Sequence, residues 1–218
     1  MTEQLNELLE ISQIARKYCN DHLCSISNSS EGPTANKIYA VQLMILSRII
    51  SSQAAIEILL EHGLHAEAAI IALSQFELRL DILYIGDKVE RATKWLEHNS
   101  ETRQPWTVKS KIEEVYVHDP TMKESQLNTF RVLSQVKHGN PVAGFSGFYV
   151  RIDDQRITIA TGPIDDTHSR LYTFLIYGLS IFQFLEAVEG CAVLTSIDNK
   201  LHEELSQLKL RASKALAR

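Results

Sequence analysis

The sequence predicts an all-α protein: a helical bundle with one small β-hairpin inserted at about residues 148–160. Three observations carry this. Apolar residues recur at intervals of three and four over most of the chain, as they do in helices that bury one face. One stretch, FYVRIDDQRITIATGP from Phe148 to Pro163, alternates instead and has Asp-Asp-Gln at its middle, the pattern of a hairpin. No internal repeat or low-complexity tract breaks the pattern, so residues 1–218 read as a single helical domain.

Each element follows from local signals. Residues 3 to 27 carry Leu5, Leu8, Leu9, Ile14 and Tyr18 at helical spacing, and SNSSEGPT (27 to 34) is a loop by composition. A second helix spans 35 to 61 on Val41, Met44, Ile45, Ile49, Ile56 and Leu60, and Gly63 suits the left-handed residue that closes it. A third begins near His65 and ends about Ile85. It opens on Ala66, Ala68, Ala69 and Ala72, then carries apolar residues on nearly every side, which marks a central, buried helix. Gly86 and Asp87 break it. Shorter helices follow at about 89 to 97 and 106 to 116, and His118-Asp119-Pro120 is a turn. A helix over 121 to 138 ends at Gly139 and Pro141. Asp165, Asp166 or Thr167 caps a long apolar helix reaching about Leu194, and 197 to 216 forms a polar helix with Leu201, Leu205, Leu208 and Ala212 as its seam.

Composition bounds the function. With 44% hydrophobic and 22% charged residues the chain is an ordinary globular one, long enough to bury a core without staples. A net charge of −5 argues against a broad nucleic-acid grip, which needs a strong positive field, but leaves room for a small basic site. Three cysteines with no C-x-x-C spacing point to a reduced, cytoplasmic compartment. The polar start MTEQLNELLE is not a signal peptide. The most apolar run, Leu171 to Leu185, is shorter than the roughly 20 residues of a membrane span and reads as a buried helix, so no membrane partner is expected.

Chemistry concentrates in RVLSQVKHGN, residues 131 to 140. Positions seven apart on a helix lie about 20° apart around its axis and roughly 10 Å along it. Arg131 and His138 therefore share one face, flanked by Asn128, Ser134 and Gln135, while Phe130, Val132, Leu133 and Val136 fall on the buried side. Two readings fit. The stripe is the solvated face of a surface helix, with a histidine near its negative end, or Arg131 and His138 together handle a phosphate.

Arg131 and His138, in the order R-x6-H late on a helix of an all-helical chain, resemble the motif of the HEPN group (higher eukaryotes and prokaryotes nucleotide-binding). Over roughly residues 60 to 140, HAEAAIIAL, QFEL, LYIGD and the downstream SQVKHG also resemble an uncharacterised bacterial family placed near that group. The resemblance implies a metal-independent endoribonuclease that needs no cofactor. Two motif helices meet across a homodimer axis, and the 2′-hydroxyl of the RNA attacks its own phosphate. His138 then serves as general acid or base, with an ordinary pKa of roughly 6.5 that suits the task. Arg131 holds the phosphate oxygens, and Lys137, Ser134 and Gln135 position the backbone. The setting implied is bacterial antiviral defence or a toxin–antitoxin pair, with RNA and a protein partner or antitoxin as partners. Val132 departs from the pattern, because catalytic members commonly carry a polar residue after the arginine. Many members are non-catalytic, and a protein–protein interaction or regulatory module is the alternative.

Other candidates are weaker in pattern. Glu77 and Asp81 share a face of the central helix. They serve acid–base or metal chemistry, or they pair with a cation from a neighbouring helix. Glu77 matches a glutamate in the family pattern, which implies a supporting role behind Arg131 or His138. Glu61, His62 and His65 form either a metal cluster or a loop and cap. Cys19 and Cys24 lie about 140° apart on a helix and are not a metal pair. Phe145, Phe148 and Tyr149 either stack on bases or cover the bundle end. No P-loop, dinucleotide, nucleophile-elbow or H-E-x-x-H motif is present, and no metal site is expected.

Overall fold

A computed structural model of the chain describes residues 2–28, 36–98, 105–137, 148–153, 156–161, 167–191 and 199–217. Its helices are α1 (Thr2–Asn28), α2 (Lys37–Glu61), α3 (His65–Ile85), α4 (Val89–Glu97), α5 (Val108–Val115), α6 (Pro120–Lys137), α7 (Thr167–Glu189) and α8 (Asn199–Ala217). The fold is all-α, with one two-stranded ribbon, β1 (Phe148–Asp153) and β2 (Arg156–Thr161). These strands pair antiparallel from Phe148 opposite Thr161 to Asp153 opposite Arg156.

The bundle is organised around α3, which packs against α2, α5, α6 and α7, while α1 and α8 pack on one another and on α7. The alanines explain the closeness of the α2–α3 pair. Ala68, Ala69 and Ala72 are fully buried and let the backbones approach, and Phe76, Leu80, Ile82 and Ile85 extend the core along the same helix. Each fully buried leucine, isoleucine or phenylalanine contributes ~1.5–3 kcal/mol by leaving water. By length and composition α2 is apolar enough to cross a membrane, yet Val41, Ile45, Leu46, Ile49 and Ile56 are fully buried in the bundle core.

Helix ends follow side-chain and glycine chemistry. Gly63 at φ 70° and Gly86 at φ 49° supply the left-handed turns after α2 and α3. Asn36 caps α2 by accepting from the Ile38 N–H at 3.0 Å, and Thr107 caps α5 by accepting from Ser110 at 3.1 Å. The turn expected at 118–120 is itself a helix start. Asp119 Oδ1 accepts from the Met122 N–H at 2.9 Å, and Pro120 occupies the first helical position, where its missing N–H costs nothing. α7 corrects one expectation: it ends at Glu189 and not at about Leu194, with Gly190 and Cys191 closing it by bonds to Glu186 and Val188. Gly139, Pro141, Asp165, Asp166 and residues 192–194 lie outside the described residues.

Candidate functional site

The face of α6 that carries Arg131 is held from beneath by α3. Leu133 and Val136 are buried at 3% and 7% exposure, and the Phe130 ring stacks on Phe76 with centroids 6.3 Å apart. Gln126 anchors the first half of the helix by accepting from Arg79 Nη2 at 2.6 Å. Arg79 is only 1% exposed. Its other terminal nitrogen pairs with Glu186 of α7, and its guanidinium lies 4.8 Å from the Phe76 ring centroid. A guanidinium so buried must be neutralised, so α3, α6 and α7 are tied together at one charge.

On the outer side, Asn128, Arg131 and Lys137 are exposed, and Ser134 and Gln135 are half-buried. Arg131 makes no hydrogen bond or ion pair among the described residues. Val132 corrects the sequence reading: it is 53% exposed, because the buried stripe of α6 is narrower than its apolar content and is filled by Phe130, Leu133 and Val136. Beside this face an open groove of about 530 Å³ runs between α6 and α7, lined by Glu124, Asn128, Val132, Leu133 and Leu179 among others. His138, the intended proton-transfer partner of Arg131, lies outside the described residues, as does Phe145. Phe148 and Tyr149 sit in β1 opposite Thr161 and Ala160.

Glu77 and Asp81 are placed elsewhere. Both line a second groove, between α2, α3, α4 and α5, together with Arg48, Trp95, Trp106 and Lys111. Asp81 takes the neighbouring-helix cation: Lys111 Nζ, 2% exposed, donates to its Oδ1 at 2.7 Å, and Trp95 Nε1 donates to its Oδ2 at 3.4 Å. Glu77 has no side-chain hydrogen bond or ion pair among the described residues, and none joins it to Arg131.

Of the histidines near Gly63, His62 acts locally and His65 reaches across to α7. His62 Nδ1 lies 2.8 Å from the Ile58 carbonyl at the α2 end, and His65 Nδ1 lies 2.8 Å from Thr173 Oγ1. Among the described residues no cluster of three or more metal-ligating side chains occurs. Cys19 and Cys191 are buried and Cys24 is exposed, and burial pushes the Cys19 thiol up to about 12.

Three polar features escaped the sequence reading: Arg79, Lys111, and a buried cluster in which Glu57 of α2 takes Ser12 and Arg16 of α1 beside Tyr177. The signal for Arg79 was present, since it is a cation in a helix apolar on every side. No protein-family profile, curated protein or solved structure matches the chain.

Proposed function

We propose that the protein is a HEPN-like, dimeric, metal-independent endoribonuclease of a bacterial defence or toxin–antitoxin system, in which Arg131, on the outer face of α6, and His138 act together on RNA. The observation that carries this reading is the state of Arg131: exposed, without a counter-charge among the described residues, and on a helix braced by the buried Arg79. A guanidinium in that state is available to a phosphate, and a braced helix holds it in place. In the step proposed, the 2′-hydroxyl of the RNA loses its proton and attacks the adjacent phosphorus. The bond to the 5′-oxygen breaks, and that oxygen takes up a proton. A cyclic phosphate and a 5′-hydroxyl result, and the two histidines of a dimer divide the proton removal and donation between them.

A second reading, a non-catalytic interaction or regulatory module, is favoured by the same groove. Glu124 repels phosphate there, and the exposed Val132 with Leu179 offers an apolar surface. Incubating the pure protein with mixed RNA in EDTA separates the two. The nuclease reading requires cleavage that survives chelation and falls about a hundredfold or more in His138→Ala and in Arg131→Ala. RNA left intact by the wild-type dimer, or cleavage unchanged in both variants, rejects it and leaves the module.

A further inference from the structure

The groove between α2, α3, α4 and α5 is a second site, formed by elements other than α6. Its volume of about 490 Å³ falls within the ~300–1,000 Å³ of small-molecule pockets. One side of it is fixed in place. The Lys111 ammonium and the Trp95 N–H take one oxygen each of the Asp81 carboxylate, so this charge pair is internally neutral and the Trp95 ring is oriented by it. Tyr84 packs on Trp106 with centroids 5.0 Å apart, and Lys94 Nζ stands 5.7 Å from the Trp106 centroid, so the second indole is held as well. Pinned aromatic rings with aligned polar groups make a prepared surface, which loses little freedom when something binds.

Two charges on the lining are left over. Arg48 of α2 and Glu77 of α3 both face this groove, and neither side chain has a hydrogen bond or ion pair among the described residues. They stand within one turn of each other along the α2–α3 pair. Gln53 meets Gln75 and Gln42 meets the Gly86 carbonyl across that pair, a register that places Glu77 about three residues, ~4.5 Å, from the level of Arg48. Their signs decide the ligand. A polyphosphate would meet the Glu77 carboxylate, and a simple cation would meet Arg48. A molecule with one charge of each sign satisfies both, and an apolar group on it finds Trp95, Met44 and Leu78.

We propose that this groove binds a small zwitterion with an aromatic or branched apolar side group, of the class of the apolar α-amino acids. Its ammonium sits on Glu77, its carboxylate on the planar fork of Arg48, and its side group against Trp95. The guanidinium suits a carboxylate because two parallel N–H groups match the two oxygens.

Both tryptophans of the chain, Trp95 and Trp106, line this groove, so tryptophan emission reports its occupancy directly. Intact protein titrated with L-phenylalanine and with L-leucine, under selective tryptophan excitation, gives a saturable change for at least one of them. Phenethylamine and 3-phenylpropionate each lack one charged group and bind about tenfold or more weaker than L-phenylalanine. Glu77→Gln weakens L-phenylalanine by a similar factor and leaves 3-phenylpropionate unchanged, while Arg48→Gln leaves phenethylamine unchanged. No saturable change with either amino acid overturns the assignment, as does equal binding of the single-charge analogues. The analogue series uses wild-type protein, so it stands whatever the variants do. Cleavage of RNA is not involved, so neither proposal's failure touches the other.

Discussion

Arg79 and Glu186 should differ sharply in what their removal costs, although they form one ion pair. Arg79 is 1% exposed and Glu186 26% exposed. Glu186→Leu strands a guanidinium in the core, with only the neutral Gln126 amide and Tyr116 hydroxyl beside it among the described residues, and breaking a buried pair in this way costs ~3–5 kcal/mol. At ~2–4 °C per kcal/mol for a chain of this size, the melting temperature falls by roughly 6–20 °C. Arg79→Met leaves instead a carboxylate that already reaches water. What it forfeits is its bonds to Gln126 and Tyr116, half-buried groups that water can reach, ~0.5–1.5 kcal/mol in all, and the contact with the Phe76 ring, ~0.5–2 kcal/mol, which together come to about 1–3.5 kcal/mol. The double variant contains neither the stranded cation nor its partner. Its cost should therefore fall near that of Arg79→Met alone, so that adding the second substitution restores stability to Glu186→Leu. Urea unfolding of the wild type and the three variants closes the cycle. Equal costs for the two single changes, or a double variant as unstable as their sum, would refute the assignment of an uncompensated buried charge.

Two further outcomes are expected. With Cys19 and Cys191 buried and the Cys19 thiol pushed up to about 12, only Cys24 should react quickly with a maleimide in the folded protein, and all three thiols should react after unfolding. A second fast thiol in the folded protein, or fast labelling that survives Cys24→Ser, contradicts this. Glu114 is held below its ordinary 4.5, first by its hydrogen bond from Arg91 and then by that from Lys88. The unfolded chain therefore binds more protons there just below pH 4.5. This contribution is complete above that pH and is lost as pH falls through the lowered native value. Glu114 is 44% exposed, so the loss is small and shrinks with added salt. Urea midpoints measured across this range should show less acid destabilisation in Glu114→Gln than in the wild type, and identical profiles would count against the Arg91–Glu114 contact.

Much of the architecture was readable because helix periodicity and glycine punctuation are local properties. His65–Ile85 and Val89–Glu97 were expected where they occur, since Gly63 and Gly86 adopt backbone conformations other residues avoid. The errors came where local signals ran past the physical boundary. Gly190 marked the end of α7, but Val193 and Leu194 continue its apolar pattern, and the periodicity outweighed the glycine. Val132 was assigned to the core because it is apolar, but a helix that packs on α3 and α5 along one side buries only a narrow stripe. The outer face of α6 was legible for the same reason of periodicity, and Asn128, Arg131 and Lys137 are exposed on it. That Asp81 would take a cation from a neighbouring helix was legible, but which residues the buried charges pair with was not. Asp81 and Lys111 are 30 residues apart, and Arg79 and Glu186 are 107 apart. A periodicity reading scores such residues as interruptions of an apolar face, since their partners are defined only once the helices pack.

Those buried polar groups also explain why the helices pack at one height. Gln75 of α3 donates to Gln53 Oε1 of α2 at 3.1 Å and to the Ser180 carbonyl of α7 at 2.7 Å. Apolar side chains tolerate sliding, because one methyl group replaces another. An amide in the core does not, because a shift of one turn, about 5.4 Å, takes it away from both acceptors and leaves it unsatisfied, at a cost of ~1–3 kcal/mol. Arg79 lies one turn further along α3, so the height fixed by Gln75 also decides where the guanidinium meets Glu186. Its second nitrogen then fixes Gln126, and Gln126 fixes the start of α6. The orientation of the face bearing Arg131 is thus set by a chain of polar contacts that begins in the core between α2 and α7.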